Sequence, residues 1–255
     1  MLDVISDDWG GKLIHSGFQL CGVSTEYMRI VKERESASAS VLVRSSGGMR
    51  AIAYTPGTVP PLQPAGVTED TLNHTHILHV NGRHWDACLH ACRLARNSKT
   101  LVSFDGGAHR YAPHIRELMP LVDICIVAQD FAFRYSNSSN PETAAAKLLA
   151  CGPELVVITD GLAGSRIFHR DGRSFLQPAF RMPVVVDTTG CGDSYHGAFL
   201  YGLSRKWSIE ATATLASAVA ALNTQQLGGR AALPTMQQVA AFLAERHIDF
   251  AQLAT

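Results

Sequence analysis

Asp187-Thr188-Thr189-Gly190-Cys191-Gly192-Asp193-Ser194-Tyr195-His196-Gly197-Ala198-Phe199 reads as the outlet of a strand, a tight glycine turn and the opening of a helix. The β-branched run Val184 to Val186 is the expected strand, and Ser194 to Leu203 the expected helix. Gly190 and Gly192 remove the side chains that would hold a ligand away from the backbone. The first N–H groups of a helix lack intrahelical partners and the helix dipole adds positive potential there, so this turn suits an anion. A carboxylate at Asp193 would repel a bound phosphate, unless its task is to take the proton of a hydroxyl that attacks that phosphate. The pattern therefore points to phosphoryl transfer; for a bare G-x-G-D, Asp193 as a helix cap would be the plainer reading.

The 255 residues, 46% hydrophobic and 17% charged, suffice for a substantial core in one or two domains. With 22 basic against 22 acidic residues, no charge field points to nucleic acid or to an anionic membrane, and small molecules are the expected partners. No apolar run reaches membrane-spanning length, and a start carrying Asp3, Asp7 and Asp8 does not read as a signal peptide. The six cysteines are scattered, which suits free thiols in a reducing, cytoplasmic setting. Cys88 and Cys92 share a helix face, but with no histidine at ligand spacing they read as packing.

Working outward, Asp7 to Gly22 is expected to be helical, followed by short strands at Tyr27–Val31, Ser40–Arg44 and Met49–Tyr54. His76–Val80, Trp85–Ala95 and Leu101–Phe104 then read as strand, helix, strand, which predicts an α/β fold with a parallel sheet and right-handed crossovers. Val122–Val127 and Glu154–Ile158 continue the strand series around an alanine-rich helix, Pro141–Leu149. Asp171-Gly172 marks a hairpin between Ile167–His169 and Ser174–Leu176, and two further helices are expected at Ile209–Asn223 and Met236–Arg246.

DTTGCGDSYHGAF resembles the C-terminal signature of the ribokinase, or PfkB-type, carbohydrate kinase family. The resemblance covers nearly all of the chain after Asp7 and implies a ribokinase-like domain over residues 1–255, with small β-lid strands within about 24–56. It implies an ATP-dependent kinase acting on a hydroxyl of a small sugar or sugar acid; a nucleoside kinase of the same family and a non-catalytic sugar or nucleotide sensor are the alternatives. Carried over, Asp193 is the catalytic base, and Gly190, Cys191 and Gly192 form the anion hole. Thr159, Gly161 and Gly164 match a T-x-G-x-x-G turn along the ATP phosphates and ribose, and Asn223, Gly228 and Gly229 match the adenine-side segment. Asp187 and Thr189 fall where many relatives bind a monovalent cation such as potassium. Lid strands in this family pair between subunits, so a homodimer through the lid is implied.

Asn81 and Asp105, beyond the carboxyl ends of two strands, are candidate acceptor contacts, although as turn formers they need no function. Where relatives carry N-x-x-E to organise magnesium through water, this chain has Gln129 and Ala132; Gln129 or Asp130 remains to hold a magnesium-bound water, and the nucleotide phosphates would carry most of the ion. The family's first strand with its substrate-binding Asp, and the glycine pair followed by Asn, have no counterpart before Asp7. The expectation is an N-terminally shortened family member. Cys191, where relatives have Ala or Gly, is a small residue at a small-residue site, or a thiol made acidic by the helix N-terminus.

Overall fold

A computed structural model describes residues 1–45 and 47–250. In chain order, β1 (Asp3–Ser6), α1 (Trp9–Leu20) and β2 (Met28–Val31) form a parallel unit, and β3 (Ser38–Val43) and β4 (Arg50–Thr55) an antiparallel pair. The short α2 (Glu69–Leu72) leads to β5 (Ile77–Val80), α3 (Trp85–Arg96) and β6 (Leu101–Gly106), and then to α4 (Ile115–Leu118) and β7 (Ile124–Ala128). After α5 (Gln129–Ser136) and α6 (Pro141–Leu149) come β8 (Leu155–Thr159), β9 (Ser165–His169) and β10 (Ser174–Gln177). Three helices close the chain: α7 (Cys191–Ser204), α8 (Ile209–Asn223) and α9 (Met236–Ala244).

The six-stranded sheet runs β10-β9-β8-β7-β6-β5, with β5 to β8 parallel and the β9–β10 hairpin antiparallel at one edge. Alternate residues of β7 and β8 serve opposite layers. Cys125, Val127, Val156 and Ile158 pack with Cys92, Phe131 and Leu148 beneath α3, α5 and α6. Ile124, Ile126, Leu155 and Val157 pack with Tyr195 and Phe199 beneath α7 and with Ala213 and Ala216 of α8. Both faces are therefore covered, as parallel sheets require. Small residues let α7 and α8 touch: a Cβ on Gly202 would stand 2.6 Å from the Thr212 hydroxyl.

Several boundaries differ from expectation for physical reasons. Val184 to Val186 is not a strand: the sheet ends at β10, and the chain runs instead along the C-terminal end of α8, where the N–H groups of Val186 and Asp187 both donate to the Thr224 carbonyl. A helix terminus offers such unpaired carbonyls. α7 begins three residues earlier than the sequence suggests, which puts Asp193 inside its first turn. Asp8 caps α1 by accepting from the Gly11 N–H, leaving residues 3–6 free to pair as β1 with β2. β2, expected with the lid strands, thus belongs to a separate parallel pair, and β3 and β4 form a hairpin by themselves. Gln129 to Ala132, expected as the end of the preceding strand, is the first turn of α5.

Candidate active site

Gly190 is what shapes the turn. Its φ of 76° lies in the left-handed region, and a Cβ there would come within 2.4 Å of the Gly229 carbonyl oxygen. The loop after α8 can therefore lie directly against the turn. A Cβ on Gly192 would meet nothing within 4 Å, so the space above the α7 N-terminus is open. Asp187 ties the two segments together, accepting from the N–H groups of Thr189 (2.8 Å) and Gly228 (2.9 Å). Burial opposes its charge, but these donors and the nearby Arg50 outweigh that and hold the carboxyl below its ordinary range. Asn223 donates to the carbonyls of Gly229 (3.2 Å) and Thr189 (3.4 Å), while its own Oδ1 and the Thr189 hydroxyl are buried without hydrogen-bond partners.

On one flank of α7 a cavity of about 350 Å³ is lined by Thr159, Gly161, Gly164, Cys191, Gly192 and Ala221, among others. The 159–164 turn is closed by the Asp160 N–H donating to the Gly164 carbonyl (2.8 Å), and Gly164 is required because a Cβ would stand 2.1 Å from the Gln177 carbonyl oxygen. A buried hydrogen bond of 2.7 Å between Ser165 and the Tyr195 hydroxyl fixes the floor. Burial pushes the Cys191 thiol up to about 11, with Asp187 and Asp193 adding to the rise and Arg50 opposing it.

The other flank is polar. Asp193 is exposed and its carboxylate takes no hydrogen bond or ion pair among the described residues. One turn along, His196 is buried; its Nε2 lies 3.5 Å from Asp105, and its Nδ1 has no partner. Burial pushes the His196 imidazole down to about 4 against the pull of Asp105 and Asp193, with His79 and Arg110 also disfavouring its charge, so the ring is neutral at pH 7. Asp105 also meets Arg110 at 3.4 Å, and the His79 ring lies 5.5 Å from that of His196, centroid to centroid.

The β3–β4 hairpin is rooted on the turn itself. Gly48 O accepts from the Thr188 hydroxyl (2.8 Å), and Arg50 donates to the Thr188 hydroxyl (2.9 Å) and carbonyl (3.1 Å).

Of the residues singled out in the sequence, Gly190, Cys191, Gly192, Asp193, Asp187, Thr189, Asn223, Gly228 and Gly229 meet at one place, with Thr159, Gly161 and Gly164 across the cavity. Asp105 joins them through His196. Asn81 is exposed, and its Oδ1 accepts from the Arg83 N–H (3.0 Å), the turn-forming use. Gln129 donates to Asp160 (2.7 Å) and Asp130 accepts from the His109 N–H (2.7 Å). No group of three or more His, Cys, Asp or Glu able to hold a metal occurs among the described residues. His79, His196 and Arg50 escaped the sequence reading; for His79 the signal was a polar residue inside the apolar run of β5, whereas His196 lies on α7 and no local signal marks it.

Residues 1–236 match the family described as pfkB family carbohydrate kinase. The chain is 28% identical to a 5-dehydro-2-deoxygluconokinase of Shouchella clausii, over 96% of this chain and 80% of the relative. It is 26% identical to an ATP-dependent ribose-1-phosphate kinase of Halopiger xanaduensis, with the same shares covered. Among solved structures it superposes on a ribokinase from Giardia lamblia with a TM-score of 0.85 at 19% identity, covering 96% of this chain and 82% of that one. An aminoimidazole riboside kinase from Salmonella enterica gives 0.78 at 26% identity, covering 95% and 84%. The glycine turn opening a helix, the cavity beside it and the sheet that carries both belong to a known lineage: this chain is a member of the pfkB family of carbohydrate kinases, with a ribokinase-like fold.

Proposed function

We propose that this chain transfers the γ-phosphoryl group of ATP to a hydroxyl of a small sugar or sugar acid, with Asp193 as the base. The observation that carries this reading is the placing of one unpaired carboxylate, Asp193, in the first turn of α7, directly after Cys191 and Gly192, which line the first cavity, and itself lining a second, of about 570 Å³, with Gly190, Gly229 and Arg230. Asp193 takes the proton from the acceptor hydroxyl as its oxygen bonds to phosphorus and the bond to the departing ADP oxygen breaks. The backbone N–H groups of residues 190–193 face the charge that builds on the phosphoryl oxygens. Thr159, Gly161 and Gly164 line the phosphates and ribose, while Asn223, fully buried, braces the Gly229 and Thr189 carbonyls behind the turn instead of touching the base. The named sugar-acid relatives favour a sugar acid as acceptor.

Magnesium, when bound with the nucleotide, would neutralise phosphate charge. Gln129, Asp130 and the Asp160 carboxylate bonded to Gln129 are the side chains placed to hold its water, few in number, as suits an ion held chiefly by phosphates. The orphaned Thr189 hydroxyl and Asn223 Oδ1 beside Asp187 fit a potassium ion better than a dry core, since each is an oxygen lacking a donor.

The test is ADP release with MgATP and potassium across a panel of sugars, sugar acids and nucleosides, with Asp193→Asn alongside. Acceptor-dependent ADP from the parent and none from the variant is expected; equal turnover by both would remove Asp193 as the base. Binding of acceptor and ATP without ADP would favour a sensor.

A further inference from the structure

The sheet face under α7 changes chemistry across its width. Ser103 is in register with Ile124 and Asp105 with Ile126, and His79 with Ser103, so all five side chains share one face. On β7 and β8 this face is apolar and packs on Tyr195 and Phe199. On β5 and β6 it carries His79, Ser103 and Asp105. The opposite face of the same two strands remains apolar, with Leu78, Val80, Val102 and Phe104 in the core beneath α3. Parallel strands covered on both faces run apolar on both, and the polar strip on β6 and the edge strand β5 departs from that pattern.

Stability does not explain the polar strip. Asp105 is 7% exposed, and its two charged or ionisable neighbours stand at 3.4 and 3.5 Å, long contacts for a buried carboxylate. Beside it, His196 keeps an unpartnered, buried Nδ1. His79 is differently placed. Its Nδ1 is engaged with the Ser103 hydroxyl at 3.1 Å and its ring leans on His196, while the residue is exposed and its Nε2 has no partner among the described residues. Desolvation holds the His79 pKa below its ordinary value, with Asp105 and Asp193 pulling the other way. A ring fixed at one nitrogen and open at the other, leaning on His196 of the helix that carries the proposed base, is suited to reading a hydroxyl.

We propose that His79 is a specificity-determining acceptor contact, its Nε2 hydrogen-bonding a hydroxyl of the polyhydroxylated acceptor other than the one phosphorylated, with Ser103 and His196 fixing the ring. The inference rests on the kinase reading above. Of the two conservative replacements, His79→Gln places an amide near the Nε2 position, whereas His79→Asn reaches only as far as Nδ1 and keeps the Ser103 side.

The experiment measures KM for acceptor and for ATP in the parent, His79→Asn and His79→Gln, and the parent's and variants' discrimination among monodeoxy analogues of the best acceptor. The expected result is an acceptor KM raised about tenfold in His79→Asn, largely restored in His79→Gln, with the KM for ATP unchanged. The parent should reject one monodeoxy analogue by a similar factor, and His79→Asn should no longer do so. Unchanged acceptor KM and discrimination in both variants would overturn the proposal, as would parallel losses in melting temperature and ATP use, the mark of a structural histidine. A parent that rejects no monodeoxy analogue overturns it without any variant. Silence of the parent on every acceptor would overturn the kinase reading and this inference with it, a result distinct from a working parent with indifferent variants.

Discussion

The two flanks of α7 are built on opposite terms. On the β8–β9 side the helix faces a cavity whose floor is a completed hydrogen bond, Ser165 to Tyr195, and whose walls are glycine backbone and apolar side chains. On the β5–β6 side it faces an imidazole without a partner at Nδ1, a buried carboxylate with long contacts and an exposed histidine edge. One flank is satisfied in itself, and shape does its selecting. The other holds polar atoms waiting for donors and acceptors, so it selects by hydrogen bonds, which discriminate more sharply because a wrong ligand leaves them unmet.

The largest expected effect lies where the flanks meet. Asp193→Asn should lower turnover by about 10²–10⁴-fold while leaving the KM for ATP nearly intact, since the carboxylate serves the acceptor side; steady-state kinetics on both substrates checks this, and a matching loss of ATP affinity would blur the division. Next, Gly190→Ala forces a methyl against the Gly229 carbonyl at 2.4 Å and a side chain into φ 76°, so it should cost about 1–3 kcal/mol and abolish turnover together. Gly192→Ala meets open space, so its melting temperature should stay near the parent's while ATP use falls.

His196 gives a smaller effect with a definite sign. Folding lowers its pKa from about 6.5 to about 4, so the unfolded chain binds more protons between those values, and the group's contribution to stability is lost as pH falls through that window. His196→Asn, which cannot titrate, should flatten the fall in melting temperature from pH 6.5 to pH 4. The smallest effect belongs to the closed flank. With its pKa near 11, Cys191 should be alkylated slowly at pH 8, faster as pH rises toward 11, and more slowly again with saturating ATP. Rapid labelling at neutral pH, indifferent to nucleotide, would mean that this flank is neither closed nor a nucleotide site.

What could be read in the sequence follows the same division. The turn was legible because Gly190 and Asp193 do local jobs, set by backbone conformation and by position in a helix. Strands β5 to β8 were legible because their period and β-branched content are local too. Val184 to Val186 misled because β propensity says nothing of whether a sheet has room for another strand; here the Thr224 carbonyl took the N–H groups instead. The polar strip was illegible for a related reason. His79, Ser103, Asp105 and His196 come from three elements, and only strand register and the docking of α7 make them neighbours. At Cys191 burial, a tertiary quantity, is what raises the thiol pKa, and nothing local in the sequence reports it.

The bonds from Gly48 and Arg50 to Thr188 fasten the root of the β3–β4 hairpin to the residue two before Gly190. In the proposed kinase, that joint would couple the tilt of the hairpin to the shape of the phosphate seat. A molecule that draws the hairpin down also sets the seat, and one that fills the seat also steadies the hairpin. Because such coupling is reciprocal, each substrate would tighten the binding of the other by the same factor, and idle hydrolysis of nucleotide would be held down whenever the second molecule is missing.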